Sequence, residues 1–200
     1  MSIPAIGTKG VPRPRREAQI VRVATAEFGA RGYARASVAA IAARSGISKP
    51  LVYQYFGSKD GLYLRCLTEV ADALLDRLTD AEQRVDDSVA SRIHVLRALF
   101  EALEPEPAAW RLLYDPSMPR TGRIAAKARH YRARTEAIAA AGSQRFLAAR
   151  GITDPEDAAA LAALWMGVVD SLVTRWLTGP KQSAAQMTAR CERLLAAVWS

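Results

Sequence analysis

The chain of 200 residues holds only two cysteines and two histidines. Cys66 and Cys191 have no metal or redox spacing and sit in helix-like apolar surroundings, so they read as core thiols. His94 and His130 belong to no ligand-spaced cluster. No Gly-rich phosphate loop, metal motif or spaced Ser-His-Asp set is present, and isolated acids such as Asp115 and Asp170 read as caps or pair partners. No enzyme, cofactor or metal is therefore expected. Sustained strand alternation is missing too. The longest apolar run, Ala158–Val169, ends at Asp170; it is too short to span a bilayer and suits a buried helix. Met1–Pro14 has no apolar h-region of the kind a signal peptide needs. These absences lead to an all-α, cytoplasmic chain with no membrane partner.

Acidic residues are scarce at one end only. Met1–Arg65 carries eleven Lys and Arg against three Asp and Glu, whereas the remainder carries seventeen of each. The whole formal excess of +8 lies in the first third. That asymmetry favours a polyanion partner for this third alone. A solvated tail is the plain alternative, but the charges continue through a patterned, apolar-containing region.

Helical periodicity and punctuation divide the chain into about nine helices. Residues 1–14, with Gly7, Gly10, Lys9, Arg13 and three prolines, read as a flexible basic arm. A first helix follows from Arg15, with Ile20, Val23, Ala24 and Phe28 inward, and Gly29 and Gly32 close it. Ser37 caps a short second helix to about Ser45. Gly46 permits the left-handed backbone of a tight helix–helix turn, and Ile47 anchors it. Ser48 caps a third helix to Phe56, whose first turn accommodates Pro50. Ser58 caps a fourth, Lys59 to about Glu82. Five more cover about Ser88–Glu104, Pro107–Asp115, Arg120–Arg150, Asp154–Thr178 and Ser183–Trp199. The organisation expected is a basic arm over 1–14, a three-helix domain over 15–65, and a larger helical domain over 66–200.

The stretch Ser37–Lys59, SVAAIAARSGISKPLVYQYFGSK, has the form of a helix-turn-helix: a short helix, a glycine turn and a second short helix. In that motif the second helix enters the major groove and its first residues meet base edges. Val52 and Phe56 would point inward, leaving a polar and aromatic face. The words FGARGY, SV..IA..SGIS and KPLVYQYFGSK, from Phe28 to Lys59, closely resemble the DNA-binding domain of the TetR (tetracycline-repressor) family. The resemblance extends from about Arg15 to Leu67; beyond it only length and helix number agree.

That resemblance implies a repressor that binds a palindromic operator in double-stranded DNA as a homodimer, with 15–65 as its DNA-binding domain and 66–200 as its effector-binding and dimerisation domain. Ser37, Tyr53 and Lys59 would contact phosphates. Ser48 would head the recognition helix. Lys49, Leu51 and Tyr55 would face bases, with Pro50 near a thymine methyl and Gln54 at an altered phosphate position. Arg13, Arg15 and Arg16 would form the basic arm. Lys49 is the expected base-edge donor, to guanine O6 or N7, a pairing worth roughly 1–3 kcal/mol of discrimination. Two departures stand out. The fourth helix opens Ser58-Lys59-Asp60-Gly61 in place of Ser-Lys-Glu-Glu, and Leu51 replaces a common Thr, which removes a donor.

Apolar stripes on the last two helices, Leu161, Val168 and Leu172 with Met187, Cys191, Leu194, Leu195 and Val198, are expected to form a four-helix dimer interface, as the resemblance also implies. A pocket for a small apolar or aromatic effector is expected from Phe100, Leu103, Trp110, Leu113, Tyr114, Met118, Tyr131, Trp165 and Val169, with Trp110 and Tyr114 foremost. The basic run Arg120, Arg123, Lys127, Arg129, Arg132 and Arg134 reads as a solvated face or as a grip on a ligand carboxylate. The alternative function is a helix-turn-helix protein without a small effector, controlled by a protein partner.

Overall fold

The computed structural model describes residues 12–84, 89–179 and 181–199; the side chains of residues 89–91, 198 and 199 lie outside that description, as do residues 1–11. Among the described residues every regular element is an α-helix: α1 (Arg13–Arg35), α2 (Val38–Arg44), α3 (Lys49–Phe56), α4 (Lys59–Gln83), α5 (Val89–Leu103), α6 (Ala108–Leu113), α7 (Gly122–Ala148), α8 (Pro155–Thr178) and α9 (Ala184–Trp199). Caps account for many boundaries. Ser37, Ser48 and Ser58 accept the N–H groups of Ala40, Leu51 and Gly61 at 3.3, 3.4 and 3.0 Å, and Asp154 accepts that of Glu156 at 2.9 Å. Each satisfies one of the orphan donors that open a helix.

The first helix departs from expectation at both ends. It begins at Arg13, behind Pro12 and with Pro14 in its first turn, so the expected arm is shorter than fourteen residues. It also runs past Gly29 to Arg35, kinking at Gly32 (φ 71°, ψ 167°). Gly29 is not a terminator but a point of close approach: a Cβ there would lie 2.5 Å from Cβ of Ala108 on α6.

Two compact units emerge, and they follow packing rather than chain order. The first joins residues up to Ala71 with Ala108–Arg129; the second joins Asp72–Pro107 with His130 onward. The unit holding the helix-turn-helix thus includes α6, which packs on α1. Its core centres on Ile20, Phe28, Ile41, Val52, Leu62 and Tyr63, all nearly or fully buried. Phe28 and Tyr33 meet the Tyr63 ring edge-on, with centroids 4.9 and 5.3 Å away.

In the second unit α9 packs on α5. The buried residues of α9 include Met187, Cys191 and Leu195, which corrects the expectation that they lie on a subunit interface. A stripe committed to its own unit cannot also face a partner. Val198 falls outside the described side chains. On α8, Ala162, Val169 and Val173 turn inward, while Leu161 and Leu172 are half-buried and Leu164 and Val168 are 69% and 45% exposed. Leu194 of α9 is 53% exposed. The apolar run of α8 is therefore not the buried helix expected. The helix has the length and composition to cross a membrane, yet only 17% of its most apolar window is buried. It presents an open apolar face.

Candidate nucleic-acid interface

The turn between α2 and α3 is built by hydrogen bonds that need glycine at one place. Ile47 N–H bonds the Ala42 carbonyl at 3.0 Å and Gly46 N–H bonds that of Ala43 at 3.1 Å, with Gly46 at φ 67°. This paired 6→1 and 5→2 closure is a Schellman motif, and its left-handed residue favours glycine. Ile47 is half-buried, and Val52 of α3 is 1% exposed. These anchors fix which face of α3 is left open. Ser48, Lys49, Pro50, Tyr53 and Gln54 are exposed; Leu51, Tyr55 and Phe56 are half-buried.

Cations gather around that face through aromatic rings. The Lys49 ammonium lies 5.7 Å from the Tyr53 ring centroid, and the Arg13 guanidinium lies 5.3 Å from that of Tyr55. The latter contact brings the start of α1 beside the recognition helix. Arg15 is exposed, whereas Arg16, expected with them, is buried at 8% exposure and belongs to the packing of α1. Lys59 is half-buried: its ammonium donates to the Ala34 carbonyl at 3.3 Å and lies 4.8 Å from the Tyr33 ring centroid. Ser37 is exposed, and its hydroxyl proton stays available because the cap uses the oxygen as acceptor.

Glu27 organises this surface and was not singled out in the sequence. Although buried, it accepts from Ser37 N–H at 3.3 Å and pairs with Arg31 and Arg44, both at 3.2 Å. One carboxylate thereby ties α1 to both ends of α2. No periodicity rule finds such a residue, because a buried acid in an amphipathic helix reads as a polar interruption. Gly61 explains one departure from the TetR pattern: a Cβ there would lie 2.0 Å from the Phe56 carbonyl oxygen, at the close junction of α3 and α4.

Residues 20–66 match the family model of bacterial regulatory proteins, tetR family. Over these residues the chain carries a tetR-family domain. The chain is 32% identical over 117 residues to the HTH-type transcriptional activator FasR of Mycolicibacterium smegmatis, a match covering 58% of this chain and 53% of that protein. The chain spans about half the length of the curated relatives it matches. A TetR-like transcriptional regulator from Rhodococcus sp. RHA1 superposes with a TM-score of 0.74 at 22% identity, covering 96% of this chain and all of that one. AibR, solved with isovaleryl coenzyme A and operator DNA, gives 0.74 at 16% identity, covering 91% and 97%. The two structures share the fold of this chain.

The expected effector residues are divided between the two units. Trp110, Leu113, Tyr114 and Met118 lie in the unit of the helix-turn-helix, while Phe100, Leu103, Tyr131, Trp165 and Val169 lie in the other. Trp110 and Tyr114, on α6 and just beyond it, stack on each other with centroids 4.5 Å apart. Depressions of about 430 and 370 Å³ at the α8–α9 connection are lined by other residues, among them Trp176, Gln182 and Arg190. In the basic run, Arg120, Arg123 and Arg129 are exposed, and Arg134 pairs with Asp72 at 3.9 Å.

Proposed function

We propose that this chain is a TetR-family, sequence-specific transcriptional regulator that binds a palindromic operator as a homodimer and acts in the cytoplasm as a repressor released by a small effector. The open face of α3, held in register by Val52 and the Gly46 turn, carries this reading. Ser37, Tyr53, Lys59, Arg13 and Arg15 contact phosphates and set register; Lys49, Pro50, Leu51 and Tyr55 meet bases. Ser48 caps the helix at the groove, and Gln54 is available to a phosphate. One such short helix reads few base pairs, so a second copy is required to specify a site.

The dimer forms through the open stripe of α8, Leu161, Leu164, Val168 and Leu172, continued by Leu194 of α9. Leu164 replaces the inward residues of α9 in the expected set, because it is the most exposed large apolar side chain described. The effector acts by differential affinity for dimers whose recognition helices do or do not match successive grooves. Its site is assigned to the second unit.

Selection from a random duplex library, followed by affinity measurements at several salt concentrations, tests this function. A palindrome bound by two copies, with log affinity falling linearly as log salt rises, is expected. Binding without sequence preference at every salt concentration overturns the operator reading.

A further inference from the structure

The second unit contains a charged cluster that DNA recognition does not use. It is assembled from Glu82 of α4, Arg92 of α5, Ser143, Arg145 and Phe146 of α7, Arg150 just beyond α7, and Trp165 of α8. The Arg92 guanidinium lies 4.3 Å from the Phe146 ring centroid and 5.2 Å from that of Trp165. Arg150 lies over the same Phe146 ring at 3.6 Å and donates to the Phe146 carbonyl at 2.8 Å. Arg145 pairs with Glu82.

Two buried polar atoms of this unit have no hydrogen-bond partner: Nη2 of Arg92, whose guanidinium lies over the Phe146 ring, and Oγ of Ser143, on the same helix as Phe146. The Ser143 side chain is fully buried, one helical turn before Phe146. Glu82, the acid acting on Arg92, is already engaged by Arg145. Burial holds the Arg92 guanidinium below its ordinary range, with Arg150 adding to the effect and Glu82 opposing it. A guanidinium remains charged in a protein all the same.

A buried N–H of a cation without an acceptor is among the most costly polar states in a protein. The rings beside Arg92 offset that cost only in part, because cation–π attraction does not replace a hydrogen bond. A guanidinium nitrogen and a hydroxyl are the donors that a carboxylate or phosphate accepts from, and Phe146 and Trp165 offer apolar walls beside them.

We propose that the effector is an amphipathic anion, a carboxylate or phosphate on an apolar body, and that Arg92, assisted by Ser143, receives its anionic head in the second unit. This rests on the effector-responsive reading above and names the class of ligand. It also replaces the α7 basic run as the expected grip on a ligand carboxylate.

Isothermal titration of the full chain with decanoate, decanoyl-coenzyme A and the neutral methyl decanoate tests it. Operator affinity is measured in parallel by fluorescence anisotropy. At least one anionic probe is expected to bind about tenfold more tightly than the ester, the scale of one charge-assisted hydrogen bond. Preference for decanoate assigns a carboxylate head; binding of the thioester alone assigns phosphate. Arg92→Gln is expected to abolish the preference, Arg92→Lys to keep part of it, and Ser143→Ala to weaken it without unfolding the chain. Equal affinity for all three probes, failure of every probe, or wild-type preference in Arg92→Gln overturns the proposal. The two readings separate cleanly. Operator binding by wild type and by ligand-free Arg92→Gln reports on the DNA function alone. Loss of operator binding by wild type would sink that function and leave anion binding readable by calorimetry.

Discussion

At Asp115 a single carboxylate, 6% exposed, accepts the Tyr33 N–H at 2.6 Å, the Ser117 N–H and hydroxyl at 2.8 and 2.7 Å, and the Tyr63 hydroxyl at 3.3 Å. Ser117 in turn accepts the Ala34 N–H at 3.2 Å. The network secures the backbone just after the Gly32 kink, where a Cβ would lie 2.6 Å from Ser117 Oγ. Asp115→Ala removes the shared acceptor and is expected to destabilise the fold by about 3 kcal/mol, measured by urea unfolding. Gly32→Ala, strained by its φ of 71° as well as crowded, is expected to destabilise in the same direction. Unchanged midpoints would remove the latch from the account. Burial pushes the Cys66 thiol up to about 12 and raises that of Cys191 in the same way. Both should resist a chromogenic thiol reagent at about pH 8 in the native protein and react on unfolding. A thiol raised by folding supports stability below its ordinary range, and that support is lost as pH climbs toward the folded value. Rapid native labelling of both thiols would contradict this burial.

At the scale of elements, the proposed function divides the labour between register and readout. Lys49→Ala is expected to relax sequence preference, with roughly 1–3 kcal/mol less discrimination at one base pair. Lys59→Ala should weaken operator and random DNA alike and lower the salt dependence by about one counterion. Equal losses on both kinds of DNA for both variants would end that division. Local chemistry made these helices legible in advance: serine caps, the Gly46 turn and Pro50 act within one turn of the chain. The ends of α1 were not legible in the same way. Gly29 looked like a stop because glycine weakens helices, but its role is to let Ala108 approach, and no local pattern records a neighbour 79 residues away.

For the whole molecule, the open face of α8 is the feature that asks for a second copy. Exposed contiguous apolar surface of this kind marks an interaction site. The wild-type protein is expected to sediment as a dimer. Leu164→Glu combined with Val168→Glu should give a folded monomer with much weaker operator affinity, checked by sedimentation velocity and circular dichroism. A double variant that remains dimeric would move the interface elsewhere. Salt-resistant association of the wild type is expected too, since apolar burial is not screened as ion pairs are.

The sequence by itself determined the helices, the helix-turn-helix and the basic character of the first third, because caps, turn glycines and 3.6-residue periodicity are short-range rules. It also marked which residues are apolar. Only the tertiary structure decided how those residues are used: Met187, Cys191 and Leu195 inward, Leu164 outward, Arg16 buried, Glu27 and Asp115 drawn into buried polar networks, and Arg92 set against the Phe146 and Trp165 rings. An amphipathic stripe states that a face must be covered, but what covers it depends on helices far away in the chain. Buried charge is subject to the same limit, since its partners are set by packing and not by spacing.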